Sequence, residues 1–393
     1  MKILCVFGEH AYGDPARGEG YEHASFLPAL RALGHEVLLF DSFRRDTRPD
    51  FAALNRALLE TVGRERPDVL LCVLMHYEVW TETLALVRAA GPRLIHWSTD
   101  DSWKYPRFTR HIAGYFDVAA TTCPQAPAWY RADGHAQVAL TQWGAPAALL
   151  RTPKPASQCR YPVSFIGAAY GKRAALVGHL QRAGVEVACF GHGWPAGPVD
   201  AARIPEIVNE SVVSLNFSEA SVAGTPRQIK ARVFEVCASG GLLLSEATPG
   251  LEDYLRPGVE VVCFDGEAQL VEQARRLLSD ASARDAIAAA GHARVAAEHT
   301  YERRFAELLA LLPAARASVA PDMARFEQVA AGHRMTAVLR LLRVLLLVPF
   351  KLAFGKRGPR AARRALFELC WRIAPRHTYG ARGLPGRLFY AES

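Results

Sequence analysis

The chain has 393 residues, of which 50% are hydrophobic and 22% are charged. This length exceeds one ordinary core and predicts two domains plus an appendage, and the composition excludes a disordered or low-complexity protein. The formal net charge is +8, but residues 335–393 contain twelve Lys/Arg and two Asp/Glu, so the remainder is nearly neutral. Positive charge confined to one apolar segment argues against a nucleic-acid-binding body.

The eight cysteines are scattered and include no C-x-x-C pair. No secretory leader is recognisable in the opening Met1–Leu4. We therefore expect reduced, mostly buried thiols in a cytoplasmic protein.

The first half alternates between strand and helix patterns. The apolar run Lys2–Phe7 predicts a buried strand, a helical pattern follows over 25–33, and Glu36–Phe40 predicts the next strand. The alternation continues through runs at 68–74, 93–97 and 118–121. We predict an α/β domain over 1–150, with a parallel sheet covered by helices on both faces.

A second α/β series follows a weakly patterned, proline-containing linker at 144–161. Strands are predicted at 163–167, 185–190, 212–216, 241–245 and 260–264, and helices at 174–183, 228–238, 267–278 and 282–298. The second domain should span 160–312. Two Rossmann-like domains facing each other across a cleft are the predicted architecture.

Two segments of the second half carry residues that suit a phosphorylated ligand. The loop Gly167–Arg173 has two glycines and two cations at the start of a predicted helix, which suits a diphosphate. The segment Lys230–Gly241 is a predicted helix with Glu235, whose carboxylate could hold ribose hydroxyls. The alternatives are a plain strand-to-helix turn with solvated cations and an ordinary amphipathic helix.

The stretch from Ser164 to Arg304 resembles the C-terminal domain of spore-maturation-protein CgeB-like glycosyltransferases of the GT-B type. The resemblance rests on several ordered motifs: Phe165-Ile166-Gly167, Tyr170-Gly171-Lys172-Arg173, Gly191-His192-Gly193-Trp194, Asn209-Glu210-Ser211, Arg232-Val233-Phe234-Glu235, Ser239-Gly240-Gly241 and His299-Thr300-Tyr301-Glu302-Arg303-Arg304. The first half is more loosely similar to the acceptor domain of these enzymes.

The resemblance implies that the second domain binds a nucleotide-sugar donor. Glu235 would bind the ribose, Lys172, Arg173 and Lys230 would neutralise the diphosphate, and the glycines would allow close backbone approach. The implied donor-binding residues are Gly167, Tyr170, Lys172, Arg173, Lys230, Arg232, Glu235, Ser239, Gly240 and Gly241. Neither a metal nor another cofactor is expected.

One position departs from the pattern of the retaining enzymes of this type. Many of them carry a second glutamate eight positions before the ribose glutamate, and this chain has Arg227 there. The retaining mechanism of those enzymes therefore does not carry over, and Arg227 could bind phosphate or face water.

A general base for the acceptor hydroxyl is expected at the carboxyl end of a strand in the first domain. The candidates are His10, Asp14 and Glu22 in the first loop, His76 with Glu78, and Asp100 with Asp101. We favour Asp100 and Asp101, with His76 as a further catalytic candidate, since nearby Trp97 could stack on a sugar. The alternative is that one aspartate caps the following helix.

Residues 335–393 predict a basic helical tail. Arg340, Arg343 and Lys351 share one narrow arc of a helix that is otherwise apolar, and Pro349 interrupts its longest uncharged run. This pattern favours a helix lying on an anionic membrane surface over one that spans the bilayer. The alternative is a helix that docks on the body or on another subunit.

Taken together, these patterns predict a metal-independent, hexosyltransferase-like enzyme at the inner face of the cell membrane. It would transfer a sugar from a nucleotide-sugar donor to an envelope glycan, as a lipid-linked or polysaccharide acceptor. No nucleic-acid partner is expected. The alternative is a catalytically inactive, sugar-nucleotide-binding scaffold attached to the membrane.

Overall fold

The structure is a computed structural model that describes residues 1–219 and 227–393. It contains two compact units, which we describe separately. Unit 1 comprises Met1–Thr141 and Leu308–Ser393, and unit 2 comprises Gln142–Glu307.

Unit 1 is built on a parallel sheet with the strand order β2-β1-β3-β4-β5-β6. Its order reverses beside β1, so the carboxyl ends of β1 and β3 flank a topological switch point. Its first part contains β1 (Lys2–Phe7), α1 (Tyr21–Ala32), β2 (Glu36–Asp41), α2 (Phe51–Glu65), β3 (Val69–Cys72), α3 (Thr81–Ala89), β4 (Arg93–Ser98), α4 (Asp101–Lys104), α5 (Thr109–Ile112), β5 (Val118–Thr121), α6 (Ala126–Ala132) and β6 (Val138–Leu140).

Unit 2 has a five-stranded parallel sheet with the order β11-β10-β9-β7-β8. Its switch point lies between β7 and β9, where ligands of such sheets bind beyond the carboxyl ends. Its elements are β7 (Tyr161–Ile166), α7 (Arg173–Arg182), β8 (Val187–Phe190), α8 (Ile204–Asn209), β9 (Ser211–Asn216), α9 (Ala231–Ala238), β10 (Leu243–Glu246), β11 (Val262–Phe264), α10 (Glu267–Ser279), α11 (Ala281–Glu298) and α12 (Tyr301–Ala310), which ends in unit 1.

Both sheets form for the reason that the sequence indicates. Their central strands are buried on both faces, as in β1, where Ile3 to Val6 are fully buried, and this burial selects continuous apolar runs instead of alternation. The predicted α/β class with two parallel sheets is confirmed. The predicted cleft stays a prediction.

The C-terminal segment of unit 1 is helical, as α13 (Met323–Ala331), α14 (Ala337–Phe354), α15 (Gly358–Ile373), α16 (Pro375–Thr378) and α17 (Leu384–Leu388). Much of it packs against the first part of the unit. Phe326, Phe367 and Tyr379 belong to the same hydrophobic cluster as residues of β1, α2 and α3. A docked C-terminal segment, the alternative weighed above, is therefore present in unit 1.

The outer side of α14 is nonetheless exposed. Its inner side packs Leu339, Leu342 and Leu346 against α15 and α17. The outer side, at intervals of three or four residues, leaves large apolar side chains 50–84% exposed: Val338, Leu341, Val344, Leu345, Val348 and Leu352. Among the helices that the structure describes, none has the length and apolar character needed to cross a bilayer.

Candidate functional site

In unit 2, two loops are joined at the carboxyl edge of the sheet. The backbone N–H of Gly167, after β7, donates to the carbonyl of Phe190 at 2.8 Å, and Trp194 Nε1 donates to the carbonyl of Gly167 at 2.7 Å. A Cβ atom on Gly191 would lie 2.5 Å from the oxygen of Gly167. The close approach therefore requires glycine at 191, and the joined loops form a fixed rim beside the switch point.

The two cations of the first loop have different environments. Arg173 is only 4% exposed, and its guanidinium donates to the carbonyl of Ala168 at 3.0 Å and to the hydroxyl of Tyr170 at 2.7 Å. Burial lowers the pKa of Arg173. Lys172 is exposed at the N-cap of α7, so it can reach a ligand, whereas Arg173 supports the loop and the half-exposed ring of Tyr170.

The start of α9 adjoins the same loop. The Arg232 guanidinium lies over the ring of Phe165 at 5.3 Å, and its Nη2 is 2.8 Å from the position that a Cβ on Gly167 would occupy. Lys230 occupies the N-cap of α9. Gly167, Lys230 and Arg232 therefore combine cations with the amino end of α9, where an anion is stabilised, whereas at α7 the backbone N–H of Lys172 donates to Glu219 at 3.2 Å.

Glu235 follows on the same helix. Its side chain is half-buried, and it lies one turn beyond the start of α9. A turn of helix advances about 5.4 Å, a short step along the helix from the cations at its amino end. The structure thus places a half-buried carboxylate one turn of α9 from the cations at its amino end.

Ser239, Gly240 and Gly241 are not brought to this edge. They lie at the opposite end of α9, roughly 12 Å from Arg232 along the helix axis. Gly240 has a φ of +76°, and a Cβ there would lie 2.6 Å from Asn209 Nδ2 and 2.7 Å from the carbonyl of Arg151. Packing of the linker and α8 thus accounts for these glycines.

Arg227 connects the ends of two strands. Its Nη1 donates to the carbonyl of Ala247 and to Asp265, each at 3.0 Å, and its Nη2 pairs with Glu246 at 3.1 Å. With two carboxylate partners, this arginine is neutralised within the protein. We therefore interpret Arg227 as a structural contact between the carboxyl ends of β10 and β11. Phosphate binding and simple solvation, the two roles considered from the sequence, fit these contacts less well.

In unit 1, Asp101 is part of a buried network. It is fully buried, its Oδ1 accepts hydrogen bonds from Ser98 and Thr109 at 2.6 Å each, and its Oδ2 accepts one from Tyr130 at 3.0 Å. These contacts occupy the carboxylate inside the core. Trp97 is also fully buried, with its ring 5.0 Å from that of Phe26, so it does not present a face to a sugar.

Asp100, in contrast, reaches the surface at the carboxyl end of β4. Its side chain is 29% exposed and lies 3.4 Å from Lys104 Nζ, which is 4% exposed. It occupies the N-cap of α4 without a side-chain capping hydrogen bond, so helix capping does not explain it. Burial raises the pKa of Glu22, on which the charges of both Lys104 and Asp100 act. An ion pair between Asp100 and a buried lysine, close enough to act on the pKa of a second carboxyl group, is an arrangement that acid-base sites use.

His76 lines a separate cavity of about 240 Å³ in unit 1. The pKa of His76 is held well below its ordinary value, first by burial and then by Lys104, Arg363, Arg107 and Arg364. A neutral imidazole of such low basicity is a weak proton acceptor at physiological pH. The cavity also contains the Lys104 side chain, which therefore lies between His76 and Asp100.

Two further features of the described residues concern a second cavity in unit 1 and the possibility of a metal site. A cavity of about 510 Å³ in unit 1 is lined by residues such as Asp117 and Gln137 that precede β5 and β6. It is at the amino edge of the sheet, away from where ligands of parallel sheets bind. Within residues 1–219 and 227–393, no group of three His, Cys, Asp or Glu side chains is placed to hold a metal ion.

Lys104 is the residue that the sequence reasoning missed. Its only signal was its position four residues after Asp100, the spacing of a helical ion pair. Glu22 was among the candidates, but the pair Asp100 and Asp101 was favoured because of nearby Trp97. The structure thus couples Glu22, Asp100 and Lys104, and separates them from the buried Asp101.

Comparisons with known proteins concern the fold of the chain and the segment 172–310. Residues 172–310 match the family model described as Glycosyl transferase-like. Sucrose-phosphate synthase from Thermosynechococcus elongatus superposes with a TM-score of 0.56 at 13% identity, covering 79% of this chain and 98% of that one. A glycosyltransferase from Rickettsia africae gives 0.55 at 11% identity, covering 79% and 97%.

A third solved structure, an alpha-glucosyltransferase in complex with UDP and a 13-mer DNA, gives a TM-score of 0.58 at 15% identity, covering 79% of this chain and 99% of that one. No curated protein matches the sequence. At such identities the superpositions establish the fold, and the CgeB-like subfamily stays a prediction. The chain therefore has the fold of GT-B glycosyltransferases, and its residues 172–310 are similar to the glycosyl transferase-like family.

Proposed function

We propose that this protein transfers a sugar from a nucleotide-sugar donor to an acceptor hydroxyl, with the donor in unit 2. The observation that carries the proposal is the convergence of Gly167 and Arg232 at the carboxyl edge of the sheet, beside the amino ends of α7 and α9. There, fixed dipoles and cations would stabilise the negative charge that develops on the departing diphosphate.

Each donor-site residue then has a distinct role. Arg232, Lys230 and Lys172 would neutralise the diphosphate without a metal ion, and Glu235 would accept hydrogen bonds from the ribose hydroxyls. Arg173 would hold Tyr170 and the loop in place. UDP is the first nucleotide to test, because solved alpha-glucosyltransferases of this fold contain UDP or UDP-glucose.

Asp100 is our candidate for the general base. It is exposed enough to meet a hydroxyl, whereas Asp101 is enclosed. Lys104 would pair with the Asp100 carboxylate, whose oxygen lies 3.4 Å from Nζ, and Glu22 would contribute to the local charge. An Asp100→Asn variant that binds donor but transfers no sugar would support this role. A variant that retains normal turnover would exclude it.

We also propose that the acceptor belongs to the envelope and is reached at the cytoplasmic face of the membrane. The exposed apolar side of α14 continues into exposed Lys351, Lys356, Arg357 and Arg360. Apolar side chains beside cations suit an anionic bilayer surface, where each cation contributes about 1 kcal/mol.

The first experiment measures donor binding by the full chain. Thermal shifts with UDP-, GDP-, ADP- and dTDP-sugars should identify one nucleotide, and Glu235→Ala should abolish that shift. Glu272→Ala, which changes an exposed glutamate on α10, serves as the matched control. The absence of a shift with every donor in a folded sample would refute donor binding, whereas binding without any turnover would favour the inactive scaffold.

A second experiment tests the membrane surface. The full chain should co-sediment with phosphatidylcholine vesicles that contain phosphatidylglycerol, and Leu345→Glu with Leu352→Glu should release it. A duplex DNA oligonucleotide added in competition tests the nucleic-acid alternative, which the DNA-bound alpha-glucosyltransferase makes worth measuring. Retention on DNA but not on vesicles would overturn this part of the proposal.

A further inference from the structure

The cavity of about 240 Å³ in unit 1 is strongly cationic. Four cationic side chains line it, from Lys104, Arg107, Arg363 and Arg364, and Glu368 is the one carboxylate among the lining residues. Glu368 accepts hydrogen bonds from Arg107 at 2.8 Å and from Trp371 Nε1 at 3.0 Å, and it also pairs with Arg372 at 2.8 Å outside the cavity. Arg107 is thus paired with Glu368, and Lys104 pairs with Asp100, whereas Arg363 and Arg364 have no carboxylate partner among the lining residues.

The cavity also contains polar groups that the protein buries without satisfying them fully. Lys104, 4% exposed, donates to the weakly accepting Sδ of Met75 at 3.7 Å, and lies 3.4 Å from Asp100. In the described part of the chain, Arg363 Nε and Trp103 Nε1 are buried without a hydrogen-bond partner. Buried donors of this kind are costly unless a ligand satisfies them.

The size of the cavity restricts what it can hold. Pockets for whole small molecules occupy about 300–1,000 Å³, so about 240 Å³ suits a charged group in preference to an entire nucleotide sugar. Several guanidinium and ammonium donors around one space match a multiply charged oxyanion better than a single carboxylate.

We propose that this cavity binds a phosphoryl group of the acceptor. The inference rests on the proposed transferase function, which it deepens by assigning the acceptor class: a phosphorylated glycan or a lipid phosphate. An oxyanion held by Lys104 would lie within roughly 6 Å of the Asp100 carboxylate, since a charge-assisted hydrogen bond adds about 2.8 Å to the 3.4 Å ion pair. The acceptor hydroxyl would then be close to the proposed base.

The test measures melting of the full chain with inorganic phosphate, with acetate at equal ionic strength as the comparison anion. Saturating UDP keeps phosphate out of the donor site. We expect phosphate to stabilise the wild type, and Arg364→Gln and Arg363→Gln each to weaken phosphate binding about ten-fold. Arg364 is exposed, so its variant should fold even if Arg363→Gln does not. Arg376→Gln removes an exposed cation of α16 and should leave binding unchanged.

Three results would overturn the inference: no response of the wild type to phosphate, an equal response to acetate, or an equal response of Arg364→Gln and Arg376→Gln. The thermal shift caused by UDP, and its loss in Arg232→Gln, test the donor site independently of the phosphate response. If UDP causes no thermal shift but the phosphate response depends on Arg364, the transferase proposal fails, while anion binding by the cavity is still supported.

Two further ligands distinguish the sources of the phosphoryl group. Arg364-dependent retention on vesicles that contain phosphatidic acid would support a lipid acceptor. Arg364-dependent binding of glucose 1-phosphate alone would support a soluble one. If neither ligand depends on Arg364, the cavity does not bind acceptor phosphate.

Discussion

Replacing Asp101 by alanine should destabilise unit 1 strongly, because the carboxylate is an interior hydrogen-bond acceptor. Asp101→Ala would leave the hydroxyls of Ser98, Thr109 and Tyr130 without the partner that they bond at 2.6, 2.6 and 3.0 Å. An unsatisfied buried donor costs about 1–3 kcal/mol. A water entering the vacated space would relieve part of the loss, so we expect about 3–5 kcal/mol.

Urea unfolding followed by circular dichroism measures this change. If the two units unfold separately, only the transition of unit 1 should move. Asp200→Ala, which removes an exposed aspartate of unit 2 that makes no side-chain cap, should shift neither transition by more than about 0.5 kcal/mol. An Asp101→Ala protein of nearly wild-type stability that has lost sugar transfer would falsify the structural assignment and make Asp101 catalytic.

Three other predictions concern charge, backbone and the C-terminal segment. Burial raises the pKa of Glu22, so ionisation of this group opposes folding as the pH rises. Glu22→Gln should therefore raise the urea midpoint at pH 8. Well below the ordinary carboxyl pKa of 4.5, where Glu22 is uncharged in both states, the substitution should leave the midpoint unchanged. Gly240→Ala should lower the melting temperature of unit 2, because the added Cβ would clash with Asn209 and Arg151. Calorimetry should show unchanged donor affinity in the folded variant. A weaker affinity would indicate that Gly240 belongs to the donor site. Deleting residues 335–393 should destabilise unit 1 but not unit 2 in the same urea assay, because the deletion removes Phe367 and Tyr379 from the core of unit 1. An unchanged unfolding transition of unit 1 would contradict this packing.

The parallel sheets could be predicted from sequence because burial on both faces leaves a pattern in each strand. β1 has the predicted bounds Lys2–Phe7, and β8 begins two residues after the predicted start at 185. Helix boundaries were harder to place. The pattern predicted the first helix from residue 25, but α1 begins at Tyr21, since its first turn is only partly buried and carries Glu22 and His23.

The candidate site was predicted only in part, because neighbours in sequence face different surroundings. Asp100 and Asp101 are adjacent and chemically identical, and what separates them is Thr109 and Tyr130, which the fold brings to Asp101 alone. The glycines of α9 are a similar case. The atoms that require Gly240 belong to residues 151 and 209, far away in the chain, so a local pattern could not distinguish packing from ligand approach.

The C-terminal segment shows how one amphipathic pattern can serve two surfaces. The apolar face of α14 is wider than its packing against α15 and α17 requires, so one side is buried and the other is exposed. The next helix, α15, carries exposed Arg360 near its start and Arg363 and Arg364 one turn later in the wall of the cavity. A turn is about 5.4 Å, so a phosphorylated lipid reaching that exposed turn would have its headgroup next to the cationic cavity. If both proposals hold, membrane attachment and acceptor selection depend on the same two helices of unit 1, whereas the proposed donor site lies in unit 2.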